Sequence, residues 1–545
     1  MVYGLSPPNK SYKYPPIEAN LNFFLFMKNS RGKILWVDDE IDHLKPHILF
    51  LEEKGFSLTT VTNGRDAVEM VKCDLFHLIL MDQFMPGMDG MDTLRQVKEV
   101  KPNLPVIMIT KSEEEWLMDE AISEKIEQFL IKPVNPTQIF MACKQVLEKS
   151  KIQEEKAASG YLKEFQEIES RLQEKLSIDD WWEIYKRLVK WQLEFDNHKD
   201  TGLGNILDDQ IKTCNREFAH FVENQYPGWV KNTERPPMSP DVIKRFVAPF
   251  LKRNKKVCFI VVDCLRYDQL MALLPEINRF FDVQVEYHLS LLPTATPISR
   301  NALFSGLFND DLLEKYPAQK KALLEHDAGL NKYESAFLQD QLKQLGLPDI
   351  KMHYHKIWKV DEGIRFQNRI SELAQVDLLA IVVNFVDMLA HKRSESDVLM
   401  EMVPDESGYR SAIKTWFENS WLFMVLKKLS TSGFRVVLTS DHGSIQVHQG
   451  VVVGADRETS SGVRYKYGRN LNCTDKNAVV LKNPSEFRLP ELGAQTTYLI
   501  AKNDIYFLYP TQFRKYQNLY KGSFQHGGIS MEEMLVPVAI MKGLP

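Results

Sequence analysis

Five times along this 545-residue chain an apolar run of strand length leads to a carboxylate: residues 33–37 to Asp38 and Asp39, 75–81 to Asp82, 257–262 to Asp263, 379–385 to Asp387 and 434–438 to Asp441. A short apolar run without alternation is a strand buried on both faces, and such strands belong to parallel sheets covered by helices. In open α/β sheets ligands bind beyond the carboxyl ends of the strands, where each of these acids falls. The pattern predicts an α/β multidomain chain with polar crevices at its sheet ends.

A chain of 545 residues exceeds one ordinary core, and at about 150 residues per domain it predicts roughly three. Its 68 Lys and Arg nearly balance 73 Asp and Glu, so no global field favours nucleic acid or a membrane surface, and an anionic substrate must be drawn locally. Cys73, Cys143, Cys214, Cys258, Cys264 and Cys473 show no Cys-x-x-Cys spacing. They predict free or packing thiols in a reducing, cytoplasmic setting rather than a disulfide framework. No stretch approaches the roughly 20 apolar residues of a membrane span, and residues 21–27, interrupted by Asn22, lack the cleavage site of a signal peptide. Residues 1–30 are expected to be a disordered extension, with Met27 a candidate start.

Residues 31–150 repeat strand and helix. Runs at 58–61, 106–109 and 128–131 join the two already named, with helical patterns between them, and Thr110 and Lys132-Pro133 follow the last two runs. This is a doubly wound domain. Its strand ends carry Asp38, Asp39, Asp82, Thr110 and Lys132, a set suited to a hard cation and a phosphoryl group. The segment resembles the flavodoxin-like receiver domain of two-component response regulators. The resemblance implies phosphorylation of Asp82 by a histidine kinase, Mg²⁺ held by Asp38, Asp39 and Asp82, phosphoryl contacts from Thr110 and Lys132, and Phe129 as the switch aromatic. Gln83 departs from the pattern, which usually has an apolar residue there.

Residues 151–240 read as a helical bundle connector. Amphipathic segments span 151–175, 178–197 and 205–226, and Trp181, Trp182 and Trp191 fall on one stripe, expected to be core rather than a partner surface. Pro227, Pro236, Pro237 and Pro240 mark the boundary.

In residues 241–545 the strand-end acids are joined by histidines. His442 follows Asp441 directly, His391 lies four residues after Asp387 and so on the same face of a helix, and His526 opens His526-Gly527-Gly528, whose glycines would let the backbone crowd a ligand. Three oxygen and three nitrogen donors suffice for two Zn²⁺ ions at three protein ligands each. His288, His353 and His448 are expected to be core or surface residues. Thr296, at a helix start, is the candidate nucleophile, with Thr294 its competitor; Arg300, a turn further on, reads as an exposed ion pair or a substrate-phosphate contact.

The order Asp263, Thr296, Asp387 with His391, Asp441-His442, His526 resembles the alkaline phosphatase superfamily, and Val261-Val262-Asp263-Cys264-Leu265-Arg266-Tyr267-Asp268 its PglZ branch. The resemblance implies an alkaline-phosphatase-like α/β fold and a zinc-dependent phosphodiesterase acting on nucleotides or linear or cyclic oligonucleotides. It also implies one zinc held by Asp263, Asp441 and His442 beside Thr296, and the second by Asp387, His391 and His526. No role is assigned within residues 307–378. Receiver, bundle and PglZ domain in this order resemble response regulators of type IX secretion. That implies a phosphorylation-dependent homodimer, with a sigma factor and a secretion-motor component as partners. The alternative is a non-enzymatic, phosphorylation-switched adaptor with structural zinc.

Overall fold

The computed structural model of the chain describes residues 32–111, 126–196, 202–319, 332–373, 375–454, 462–491, 495–511 and 513–545. The expected N-terminal extension and Met27 lie outside the described residues. The chain divides into two compact units, Met1–Gly160 and Tyr161–Pro545.

In the first unit β1 (Gly32–Val37), β2 (Phe56–Val61), β3 (Leu78–Asp82), β4 (Val106–Thr110) and β5 (Gln128–Ile131) form one sheet of order β2-β1-β3-β4-β5. Every pairing is parallel. β3 and β4 are buried along their whole length, as their unbroken apolar sequences require. Helices Gly64–Cys73 and Gly90–Val100 start at Asn63 and Asp89, whose side chains accept from the amides of Asp66 and Asp92. They bury Ala67, Val68, Val71, Leu94 and Val97 on one face of the sheet, while Ile139, Ala142 and Cys143 close the other. Gly90 is there because a Cβ would stand 2.4 Å from the Asp82 carbonyl oxygen. The sequence pattern divides helices near residue 150, but one 36-residue helix, Pro136–Arg171, runs through that point. The Lys, Glu, Gln and Ala residues around it are strong helix formers, and charge alone interrupts no hydrogen bond.

In the second unit helices Ile178–Asp196 and Leu203–Trp229 pack on each other and on the C-terminal fold. The tryptophan stripe is interior: Trp181 meets Phe218 edge-on at 5.4 Å, and Trp182 meets Tyr267 at 4.6 Å. Pro227 lies within the last turn of its helix rather than beyond it.

The main sheet has six strands, β6 (Val257–Val262), β7 (Phe281–Leu289), β8 (Met352–Ile357), β9 (Leu378–Val383), β10 (Arg435–Thr439) and β18 (Leu535–Gly543), in the order β7-β18-β10-β6-β9-β8. β8, β9, β6 and β10 run parallel, while β18 is antiparallel to both its neighbours. β6 and β9 are fully buried between two helical layers. Because Thr439 pairs with Val261 and Val261 with Val382, the three central strands end level and deliver Asp263, Asp387 and Asp441 to one crevice. The segment between β10 and β18 carries β11 (Ile445–Gln446), β12 (Gln449–Val452), β13 (Tyr465–Gly468), β14 (Ala478–Leu481), β15 (Thr497–Ala501), β16 (Ile505–Leu508) and β17 (Phe524–Gln525). Pairing of β11 with β17 returns the chain to the crevice and leaves His526 there. Among the described residues no helix is long and apolar enough to cross a membrane.

Candidate active site and phosphoacceptor site

Asp263 directly follows β6, and Cys264 next to it adopts φ 67°, a left-handed turn that starts the path into helix Tyr267–Ile277. The turn is held from the neighbouring strand: the Leu265 amide donates to Ser440 Oγ at 2.9 Å, and the Cys264 amide to Asp441 Oδ1 at 3.4 Å. Asp263, Asp441 and His442 are buried and present donor atoms within 4.8 Å of one another. His442 Nδ1 lies 3.0 Å from the Gly443 carbonyl oxygen, which can only accept. The proton therefore sits on Nδ1, and Nε2 offers its lone pair to the crevice. That nitrogen is 3.6 Å from Asp441 Oδ2, 3.9 Å from Asp263 Oδ1 and 3.0 Å from Thr296 Oγ1. Gly443 permits the turn, since a Cβ would lie 1.9 Å from the Glu532 carbonyl oxygen.

Asp387, His391 and His526 form a second group within the same 4.8 Å limit, more open than the first. Asp387 and His391 share a face of helix Phe385–Arg393, with His391 Nε2 3.4 Å from Asp387 Oδ1. His526 Nε2 is 3.7 Å from the same oxygen, and its Nδ1 is 3.3 Å from the Thr294 carbonyl oxygen. The His442 and His526 rings stack at 4.3 Å, so the two groups adjoin.

The buried charges of the crevice are strained against one another. Burial, with Asp441 and Asp387 adding to it against Arg300, pushes Asp263 up to about 7. Burial, then His442, drives His526 down to about 3. Burial raises Asp387 too, but His391 and His526 outweigh it and hold the carboxyl below its usual range. Buried Asp263 Oδ1 and Asp387 Oδ1 have no hydrogen-bond donor, a costly state that a divalent cation at each group relieves. The mixed oxygen and nitrogen donors fit zinc.

Of the competing threonines, Thr296 faces His442 whereas Thr294 serves the framework. Its hydroxyl donates to the Gly528 carbonyl at 2.8 Å and accepts the Gly527 amide at 3.1 Å, fixing the loop that carries His526. Two readings change, and two residues are added. Arg300 is neither exposed nor turned to a substrate: it is fully buried, with Nε 2.9 Å from Asp441 Oδ2, and it pairs with Asp263. The glycines after His526 are crowded by protein, not ligand: a Cβ on Gly528 would lie 2.2 Å from Arg464 Nη2, and one on Gly527 2.5 Å from Tyr465. Glu334 and Asn384, unremarked in the sequence, also serve the crevice. Glu334 is buried near Arg300, and Asn384 donates to Asp263 Oδ2 at 3.2 Å. Asn384 was visible only as the residue closing the β9 run. Of the histidines set aside, His288 is buried against the Ser440 carbonyl at 3.1 Å, and His353 and His448 are exposed.

In the receiver sheet Asp38, Asp39 and Asp82 bring donor oxygens within 4.8 Å. Lys132 Nζ lies 2.8 Å from Asp82 Oδ2 and 3.1 Å from Asp38 Oδ2. Burial raises the Asp82 carboxyl above its usual range against the opposing pull of Lys132. Asp82 Oδ1 is buried without a donor, and an all-oxygen set fits Mg²⁺. Thr110 is buried at the end of β4, Phe129 packs half-buried beside the helical layer, and Gln83 is buried.

Strand-end acids and a lysine on a 2-1-3-4-5 sheet, followed by a two-group crevice on a second sheet, define a receiver joined to a phosphatase-like fold. Residues 34–144 match the response regulator receiver domain, 151–230 the PorX response regulator linker domain, and 242–541 the BREX system PglZ alkaline phosphatase-like domain. The chain belongs to the PglZ family and carries the receiver and linker domains of a response regulator. It is 33% identical over 119 residues to the two-component response regulator ORR3 of Oryza sativa subsp. indica, covering 21% of this chain and 91% of that protein. It is 30% identical over 123 residues to the transcriptional regulatory protein ResD of Bacillus subtilis, covering 23% of this chain and 51% of that one, so it spans about half the length of ResD. A CheY-like receiver domain structure from Methanospirillum hungatei JF-1 is similar at 23% identity and a TM-score of 0.22, over 22% of this chain and 97% of that one.

Proposed function

We propose that the chain is a response regulator whose phosphorylation at Asp82 by a histidine kinase controls a zinc-dependent phosphodiesterase acting on nucleotides or oligonucleotides, in the service of type IX secretion. The observation that carries the enzymatic reading is Thr296 Oγ1 at 3.0 Å from His442 Nε2, beside one three-residue group and adjoining the other. Asp263, Asp441 and His442 would hold one zinc, and Asp387, His391 and His526 the second. Bound there, zinc supplies positive charge that lowers the Thr296 hydroxyl pKa and offsets charge developing on the phosphoryl oxygens. Thr296 Oγ attacks phosphorus in line; its bond to phosphorus forms as the bond to the leaving oxygen breaks, and water then cleaves the phosphothreonine ester and restores the hydroxyl. Thr296 opens helix Thr296–Ser305, so the positive end of that helix lies beside the hydroxyl. In the receiver, Asp38, Asp39 and Asp82 would hold Mg²⁺, Lys132 and Thr110 would contact the phosphoryl oxygens, and Phe129 would report the switch.

The test is hydrolysis of a nitrophenyl phosphodiester by wild type and Thr296→Ala, with zinc content measured on both. Loss of about a thousandfold or more in rate at unchanged zinc content is expected. Equal turnover removes Thr296 as nucleophile. A wild type that holds zinc but cleaves no diester favours the adaptor reading.

A further inference from the structure

Arg300 is among the largest fully buried side chains of the protein, and its charge is spent within the crevice. Nε donates to Asp441 Oδ2 at 2.9 Å and Nη2 pairs with Asp263 Oδ2, so one edge of the guanidinium spans two acids of the first group. Nη1 lies 3.9 Å from Glu334, which is itself 3.4 Å from Lys356 Nζ. Asp263 Oδ1 is left without a donor and faces His442 Nε2. Three acids, Asp263, Asp441 and Glu334, thus surround two cations, Arg300 and Lys356.

We propose that Arg300 is the internal counter-ion of the first metal group: a positioning residue that holds Asp263 and Asp441 in place when no ion is bound and limits how tightly the ion binds when one is. This rests on the reading that Asp263, Asp441 and His442 hold zinc. Two buried carboxylates this close repel each other, and among the described residues Arg300 is the guanidinium that bridges them. The guanidinium takes the Oδ2 atoms and leaves Asp263 Oδ1 for the metal, so the site is preformed rather than assembled by zinc. An ordinary core ion pair would stabilise the fold equally with and without metal; a counter-ion to a metal site would not.

The experiment is thermal unfolding of the full chain as wild type, Arg300→Met and Arg300→Lys, each stripped by chelator and again at saturating zinc, with bound zinc quantified and its affinity measured by chelator competition. Stripped Arg300→Met is expected to unfold about 5 °C below stripped wild type. Zinc should return it to within about 2 °C of loaded wild type. It should hold zinc about tenfold more tightly, because a neighbouring positive charge is gone. Arg300→Lys should stay near wild type without metal. An Arg300→Met protein as stable as wild type when stripped, or equally destabilised or unfolded with and without zinc, overturns the inference and leaves the metal reading standing. A wild type that takes up no zinc overturns both.

Discussion

At the scale of single residues, the division of labour between Thr294 and Thr296 shows how position decides chemistry. Both lie on the same approach to one helix, two residues apart, yet Thr294 is fully buried and bonded to the backbone of Gly527 and Gly528, while half-buried Thr296 meets His442 Nε2. A hydroxyl that both donates to and accepts from the framework cannot serve as a nucleophile without releasing the loop it holds. The ring nitrogens follow similar logic. His442 and His526 each turn Nδ1 to a backbone carbonyl, at 3.0 and 3.3 Å, which leaves both Nε2 atoms for the crevice. The second group differs in exposure. His391 is exposed whereas His442 is fully buried, so the ion at Asp387, His391 and His526 would be the more exchangeable of the two.

At the scale of elements, the connector helices are part of the crevice's scaffold. From helix Leu203–Trp229, Asn215 donates to the Glu532 carboxylate at 2.9 Å and accepts the Met531 amide at 2.8 Å, and the carbonyl of Glu532 packs on Gly443. Tyr226 of the same helix accepts the Leu292 amide at 2.9 Å, on the approach to Thr296. From the end of helix Ile178–Asp196, Asp196 binds Arg410 at 2.7 and 2.8 Å; Arg410 then reaches Asp268, and Asp268 pairs with Arg266, which donates to the Ser444 carbonyl at 3.2 Å. Asn215→Ala leaves the Met531 amide and the Glu532 carboxylate buried without their partner. It should cost about 2–3 kcal/mol in denaturant unfolding of the full chain and lower the hydrolysis rate about tenfold with KM little changed. A stability loss at full activity would confine Asn215 to folding. None of this was legible in the sequence, because an Asn within an amphipathic helix looks like a surface residue until its partner, 317 positions away, is known. The strand ends were legible: each buried run announces where its strand stops, and the parallel sheet brings the stops together. Arg300 was misjudged because periodicity marks which face is apolar, not which charge finds partners inside. The helix through residue 150 was missed because hydrophobic pattern weakens there while helix propensity does not.

At the scale of the whole molecule, a receiver and a PglZ domain share one chain, and the proposed function makes phosphorylation at Asp82 the signal that controls the crevice. We expect a phosphoryl mimic with Mg²⁺ to shift the β5 face near Phe129 and favour a homodimer, seen as a heavier species in sedimentation; an unchanged mass rules the dimer out. Everything proposed for the output domain depends on the two three-residue groups holding ions side by side. Anomalous diffraction at the zinc edge, from crystals of the full chain grown with zinc, tests this most directly. Two peaks are predicted, one contacting Asp263, Asp441 and His442 and the other Asp387, His391 and His526. A crevice with no anomalous peak, or with a single peak that leaves either group unliganded at saturating zinc, would contradict the account.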